Sequence, residues 1–189
     1  MSDPSRPPES RPDAAAPPDP GMALKRQQHL LIFLTVLIDL IGFGILIPVI
    51  QPIAEELGAP IWIATVLMGV NSLMQFIFSP VLGRLSDRVG RVPVLVMSLW
   101  ASVGGYLVMS LAVSGWVAPM TGIILLFTAR IITGIGGASI STAQSYLSDI
   151  TAPEKRAGVM GMIGAAFGLG FMIGPVIGGI LSHFGGRAA

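Results

Sequence analysis

The sequence predicts an all-α integral membrane protein, and three observations carry that prediction. Of its 189 residues, 52% are hydrophobic and 11% charged, with a mean hydropathy of +0.77, whereas a soluble domain carries about 25% charged residues. The apolar residues gather into five runs, each of about 20 residues or more, enough to cross ~30 Å of hydrocarbon as helix. None of the runs alternates with period two. In lipid only a helix or a closed barrel satisfies every backbone group, so the barrel is excluded and the helix remains.

The elements follow in order. Residues 1–28 open with "MSDPSRPPESRPDAAAPPDPGMAL", which holds seven of the 15 prolines and few large apolar side chains. Such a stretch cannot bury enough surface to offset the entropy of ordering, and it is expected to be a disordered, Pro-rich cytoplasmic tail. It is not a signal peptide, because the apolar run that follows is too long for one and ends without a small-residue cleavage site. Residues 29–189 form the transmembrane bundle, with spans near 30–54, 61–82, 92–113, 119–147 and 158–184. Trp62, Trp100 and Trp116 read as anchors near span ends, and His29 and His183 as interfacial residues.

Placement of the few charges sets the orientation. Lys25 and Arg26, then Arg84, Arg88 and Arg91, then Lys155 and Arg156 lie on alternate connections, while "EELGAP" and "SGWVAP" carry no positive charge. Positive residues stay inside, so the amino terminus is expected in the cytoplasm and the carboxyl end outside, with Arg187 the one dissenter. A net charge of +1 offers no basic surface for nucleic acid. The absence of cysteine excludes disulfides and thiolate metal sites. No metal-ligand cluster, nucleophile triad or phosphate loop is present. "GIGGAS" sits inside an apolar span with no preceding strand and no Walker lysine.

One phrase returns. "PVLGRLSDRVGR", Pro80 to Arg91, leaves the second span on the inner side, and "PVIGGILSHFGGR", Pro175 to Arg187, leaves the fifth on the outer side. The same text in opposite orientations, three spans apart, is the signature of a 3+3 inverted repeat whose sixth helix is missing here. The first and fourth spans agree more weakly: Asp39 precedes Gly42 and Gly44, and Arg130 precedes Gly134 and Gly136.

Four stretches resemble the amino-terminal half of a major facilitator superfamily transporter, most closely the twelve-helix drug/proton antiporter branch that includes the tetracycline exporters. "GRLSDRVGRVPVL", from Gly83, matches the inner-loop pattern G-x-L-x-D-R-x-G-R and departs only at Val92, where a second basic residue is usual. "GMIGAAFGLGFMIGPVIGG" carries Gly161, Gly170, Gly174, Pro175, Gly178 and Gly179 at every fixed position of the antiporter pattern. "RIITGIGGAS", from Arg130, resembles the fourth-helix pattern, with Thr133 where Gln is frequent. "DLIGFGILIPVIQP", from Asp39, resembles the first-helix pattern. The likeness covers everything after the tail.

Asp39 lies about nine residues, ~14 Å of rise, inside the first span, and Arg130 sits near mid-depth of the fourth. A charge at the bilayer centre costs about 2.5–3.5 kcal/mol on insertion scales, so each is expected to face the bundle interior. The resemblance implies that Asp39 carries a proton or cation in competition with substrate and that Arg130 promotes its deprotonation; the plainer reading is that the two neutralise each other as an assembly device. Gly42, Gly44 and Pro48 around Asp39 make a deformable helix, which favours the functional reading. In the inner loop, Asp87 closes the second helix and Gly90 permits a turn with positive φ. The resemblance implies that Gly83, Asp87, Arg88, Gly90, Arg91 and Asp149 form a gate, with Asp149 the partner of Arg88. The fifth-span glycines are poor helix formers and are expected where another backbone comes close. Asn71 and Gln75, one turn apart, either line a cavity or hydrogen-bond a neighbour; both readings stay open.

The expected function is secondary active transport, a proton-coupled efflux of a small, partly apolar compound across a bacterial inner membrane, with lipid, protons and substrate as partners and no cofactor or enzymatic step. The resemblance implies about twelve helices, so a carboxyl-terminal half would supply the second cavity wall and receive Asp87. Two alternatives remain: a facilitator or symporter in which Asp39 recognises substrate, and a truncated, inert fragment or half-transporter that needs a partner.

Overall fold

A computed structural model describes the backbone of residues 20–185 and the side chains of 27–183. Regular structure among the described residues is helical: α1 Pro20–Glu56, α2 Ile61–Val89, α3 Arg91–Ala112, α4 Pro119–Gly137, α5 Ser139–Ile150 and α6 Arg156–Gly185, with a 3₁₀ turn at Pro153–Lys155. Among the described residues five segments are long and apolar enough to cross a membrane, because α4 and α5 together make one crossing, Pro119–Ile150.

Local chemistry explains the breaks. Pro60 and Ala118 hold extended backbone just before α2 and α4, and Pro119 opens α4 where its missing N–H is no loss. The turns between helices pass through Gly58, Gly90 and Gly115, all with positive φ. At Gly90 φ is 104°, a conformation that a residue with a Cβ rarely adopts, so α2 and α3 are joined by one glycine. The α1–α2 and α3–α4 turns lie at one end of the bundle, called here the Gly58 end. The α2–α3 turn and the α5–α6 connection lie at the other, the Gly90 end.

The helices overrun the apolar spans. α1 begins at Pro20, ten residues before the expected start of the first span at residue 30, so residues 20–28 of the stretch assigned to the tail are helical. Residues 1–19 and Arg187 lie outside the described residues, as do the side chains of Lys25 and Arg26. α2 continues through Arg84, Asp87 and Arg88 to Val89, because good helix formers extend a helix past its apolar stretch. The fourth span is interrupted at Ala138, after Gly134, Gly136 and Gly137. Glycine and serine flank Ala138, and such small residues are a usual site for a break. Trp62 and Trp116 stand at span ends as expected, but Trp100 does not: it is the tenth residue of α3's 22, in mid-span, and 71% exposed.

Two apolar clusters hold the bundle. One, toward the Gly90 end, contains Ile32, Val36, Leu40, Leu95, Leu147 and Ile163. The other, toward the Gly58 end, contains Ile50, Ala54, Ala64, Leu67, Ala112 and Leu126. Between them lies a layer of polar groups, Asn71, Ser98, Ser102 and Arg130, all buried. Elsewhere the chain is apolar outward. Between 17% and 39% of each crossing's most apolar window is buried within the molecule, so most of it is left for lipid or another bundle.

Pairing follows the repeat. α1 packs chiefly on α6, while α4 packs chiefly on α3 and next on α2, so the first helix of each three-helix unit also touches the second helix of the other. Both pairings are close. A Cβ on Gly44 would lie 2.9 Å from the Gly170 carbonyl and 3.0 Å from the Gly174 Cα. One on Gly134 would lie 2.6 Å from the Asn71 carbonyl and 2.7 Å from the Met74 Cβ. Small residues permit this approach between helices that gain little from apolar burial against each other in lipid.

Candidate functional site

The polar layer opens into a cavity of about 690 Å³. α1 contributes Asp39 and Phe43, α2 contributes Asn71, Ser72, Gln75 and Ser79, and α3 contributes Ser102 and Tyr106. Arg130 and Thr133 come from α4, Ser141 and Gln144 from α5, and Phe167 and Phe171 from α6. The chain's two mid-span charges thus share one cavity, as the cost of placing either against hydrocarbon requires.

Arg130 is 1% exposed. Its Nη2 donates to the Met68 thioether sulfur at 3.1 Å, while its Nε and Nη1 are buried with no hydrogen-bond partner. Asp39 is half-buried in the same cavity, and the two are not joined as an ion pair. Asn71 answers both readings left open for it. Its amide nitrogen donates to the Arg130 carbonyl at 3.3 Å and to the Thr133 hydroxyl at 3.0 Å, tying α2 to α4, and the residue also lines the cavity. Gln75 lines the cavity too, and its amide fills the space that a side chain on Gly137 would take.

The two sides of the cavity differ in chemistry. The α2–α5 side carries hydroxyls and amides, with the Ser79 hydroxyl donating to Ser141 at 2.9 Å. The α1–α6 side is aromatic. Phe43 meets Phe171 edge-on at 6.0 Å between centroids, and Phe167 lies roughly parallel to Phe171 at 6.3 Å. An aromatic wall facing a hydrogen-bonding wall suits a compound that is partly apolar and partly polar.

One residue of the site went unread in the sequence. Tyr106 reaches from α3 into the cavity, and its hydroxyl occupies the position of the absent Gly42 side chain: a methyl there would lie 2.6 Å from the hydroxyl oxygen. A lone tyrosine in an apolar span reads as an amphipathic anchor. The available signal was Gly105 beside it, which packs against the Ala129 carbonyl and Thr133 and so aims the next residue between α1 and α4.

At the Gly90 end the loop residues come together, with one correction. Asp149 pairs with Arg91, not Arg88: the Arg91 Nε lies 2.9 Å from Asp149 and its Nη2 lies 3.2 Å from Asp87. Arg88 belongs to the last turn of α2 and is exposed, while the Gly90 turn folds Arg91 back as the first residue of α3, against the end of α5. The Ser86 hydroxyl donates to the Gly83 carbonyl at 2.7 Å, and Arg91 reaches the same hydroxyl at 3.5 Å. Gly83 itself has open space where a Cβ would be.

The α6 glycines divide into two groups. Gly170, Gly174 and Gly178 press on α1 at Leu40, Gly44 and Ile45, with Pro175 against Gly44. Gly161 and Gly179 have nothing within 4 Å, so the expectation of a close backbone fails for these two within the described residues.

Residues 32–189 match the family model described as Major Facilitator Superfamily. The class H tetracycline resistance protein of Pasteurella multocida is 37% identical over 155 residues, which cover 80% of this chain and 37% of that protein. The class C protein of Escherichia coli is 38% identical over 162 residues, covering 84% and 39%. Major facilitator superfamily domain-containing protein 10 of Bos taurus is 31% identical over 180 residues, covering 80% and 38%. The chain therefore spans between 37% and 39% of the length of these curated relatives. With five crossings, paired close-packed helices and a match over residues 32–189, this multi-pass membrane protein belongs to the Major Facilitator Superfamily.

Proposed function

We propose that the chain is the amino-terminal bundle of a secondary active transporter that exchanges protons for a small, partly apolar compound, exporting it across a bacterial inner membrane. The observation that carries this reading is the shared cavity of Asp39 and Arg130, two charges at mid-span that do not neutralise each other directly. A carboxyl group in a poorly hydrated pocket is discharged by a proton and recharged on its release, and Arg130 across the cavity favours the recharged state. Loading cargo while releasing the proton, then reversing both on the other side, gives exchange.

The cavity is in the range of about 300–1,000 Å³ common for small-molecule sites, and its aromatic and amide walls fit an amphipathic ligand. The bacterial relatives are tetracycline resistance proteins, which makes a tetracycline-like compound the first candidate. The Arg91 cluster acts as the inner gate in this reading, with the Gly90 end and the amino terminus in the cytoplasm. The second cavity wall comes from a carboxyl-terminal bundle. Support for that half-transporter form is the short span of the relatives that the chain matches and the exposed apolar side chains around the cavity, Phe76 at 79% among them.

The test uses everted membrane vesicles from cells expressing the chain alone or beside the carboxyl-terminal half of a tetracycline resistance relative. Tetracycline should accumulate when the vesicle interior is acidified, in the paired preparation at least, and leak away when the pH gradient is collapsed. Accumulation that ignores the gradient would favour a facilitator, and none in either preparation would overturn transport.

A further inference from the structure

Asp39 and Arg130 face one cavity from α1 and α4 without forming an ion pair, and Tyr106 of α3 lines the same cavity. Its place is built in. Gly42, one turn beyond Asp39, lacks the side chain that would collide with the hydroxyl, and Gly105, next to Tyr106, sits against the α4 backbone on either side of Arg130. Arg130 keeps two buried nitrogens, Nε and Nη1, unpaired. An unpaired buried donor costs about 1–3 kcal/mol, so an acceptor that visits it in another state of the cycle would be favoured.

We propose that the Tyr106 hydroxyl is the movable link between Asp39 and Arg130, a positioning group that donates a hydrogen bond to the Asp39 carboxylate and, once Asp39 holds a proton, turns to accept from the free Arg130 N–H. The phenol keeps its own proton throughout. A rotation of one side chain then reports the protonation of α1 to α4, whose break at Ala138 lies two turns beyond Arg130. The other elements around Asp39 bring no competing charge among the described residues: α2 presents Asn71 and Gln75, α5 presents Gln144, and α6 presents Phe167 and Phe171. Tyr146 of α5 packs into the apolar cluster at the Gly90 end.

This link rests on the reading of Asp39 as the proton-carrying group, and the test separates the two without measuring transport. A hydrophobic carbodiimide, dicyclohexylcarbodiimide, modifies protonated carboxyl groups in apolar sites, and mass spectrometry reports the labelled Asp39 peptide in the detergent-solubilised chain. Wild-type labelling should rise as pH falls from about 8 to about 5. Tyr106→Phe keeps the ring over Gly42 and removes the hydroxyl; it should label roughly tenfold faster or more near pH 8, the factor expected for one lost hydrogen bond to a charged group, and at the wild-type rate near pH 5. Gly42→Ala, which displaces the hydroxyl, should show the same pattern. Equal rates for wild type and Tyr106→Phe at both pH values would overturn the link. Faster labelling of the variant at both would mean loosened packing and would overturn it too. Wild-type labelling independent of pH would overturn the proton-carrying reading itself, and the link with it.

Discussion

Asn71 holds two helices and borders the cavity at once. Its amide donates to the Arg130 carbonyl and the Thr133 hydroxyl, so it fixes the turn of α4 from which Arg130 projects. Asn71→Leu removes both hydrogen bonds and is expected to destabilise the bundle by about 1 kcal/mol, toward the lower values measured for polar contacts between membrane helices. A denaturant titration in detergent, read by helix content, checks that figure. The sequence could place Asn71 on a helix but not choose between wall and bond, because that choice depends on which helix stands opposite. Asp39 and Arg130 were legible for a firmer reason: a lone charge in an oily span has few places to go. Tyr106 was not, since its one local signal, Gly105, shows its meaning only once α4 is known to stand opposite.

Between elements, the glycines of α6 show what spacing can reveal. Gly170, Gly174 and Gly178 recur every four residues and make one stripe, while Gly161 lies about half a turn away from it. Only the stripe meets α1. Gly174→Ala puts a carbon 2.6 Å from the Gly44 Cα, and overpacking of this kind costs about 1–3 kcal/mol. Gly161→Ala meets open space within the chain and should be neutral or stabilising by up to about 1 kcal/mol, from helix propensity. Thermal unfolding of the two variants side by side separates them. The same logic applies to the turn at Gly90. Arg91→Ala breaks contacts with Asp87 and Asp149 and should cost about 1 kcal/mol at low salt, less at high salt, whereas Arg88→Ala should stay within about 0.5 kcal/mol. The motif identified the cluster, but its pairing was read wrongly, because sequence adjacency says nothing of how far one glycine with φ of 104° swings the next residue.

Across the whole molecule, two apolar clusters clamp the helices at either end and leave a polar layer between them, open on one side. The all-helical class and the five crossings were legible because hydrocarbon thickness dictates span length. One returning phrase suggested the repeat, and the contacts of α1 with α6 and of α4 with α2 agree with it, although α4 packs more extensively on α3. Less visible was the break at Ala138, since no proline marks it and three nearby glycines also serve close packing. The arrangement exists, in this reading, to keep one carboxyl group apart from bulk water and within reach of cargo. The most direct measurement compares wild type and Asp39→Asn in everted vesicles, with the carboxyl-terminal half supplied, for two activities: accumulation driven by an acid interior, and exchange of labelled for unlabelled compound without a gradient. Asp39→Asn should lose the driven accumulation, because an amide cannot carry the proton, and retain the exchange. Driven accumulation undiminished by the substitution would contradict the role assigned to Asp39 and leave the cavity without its proton carrier.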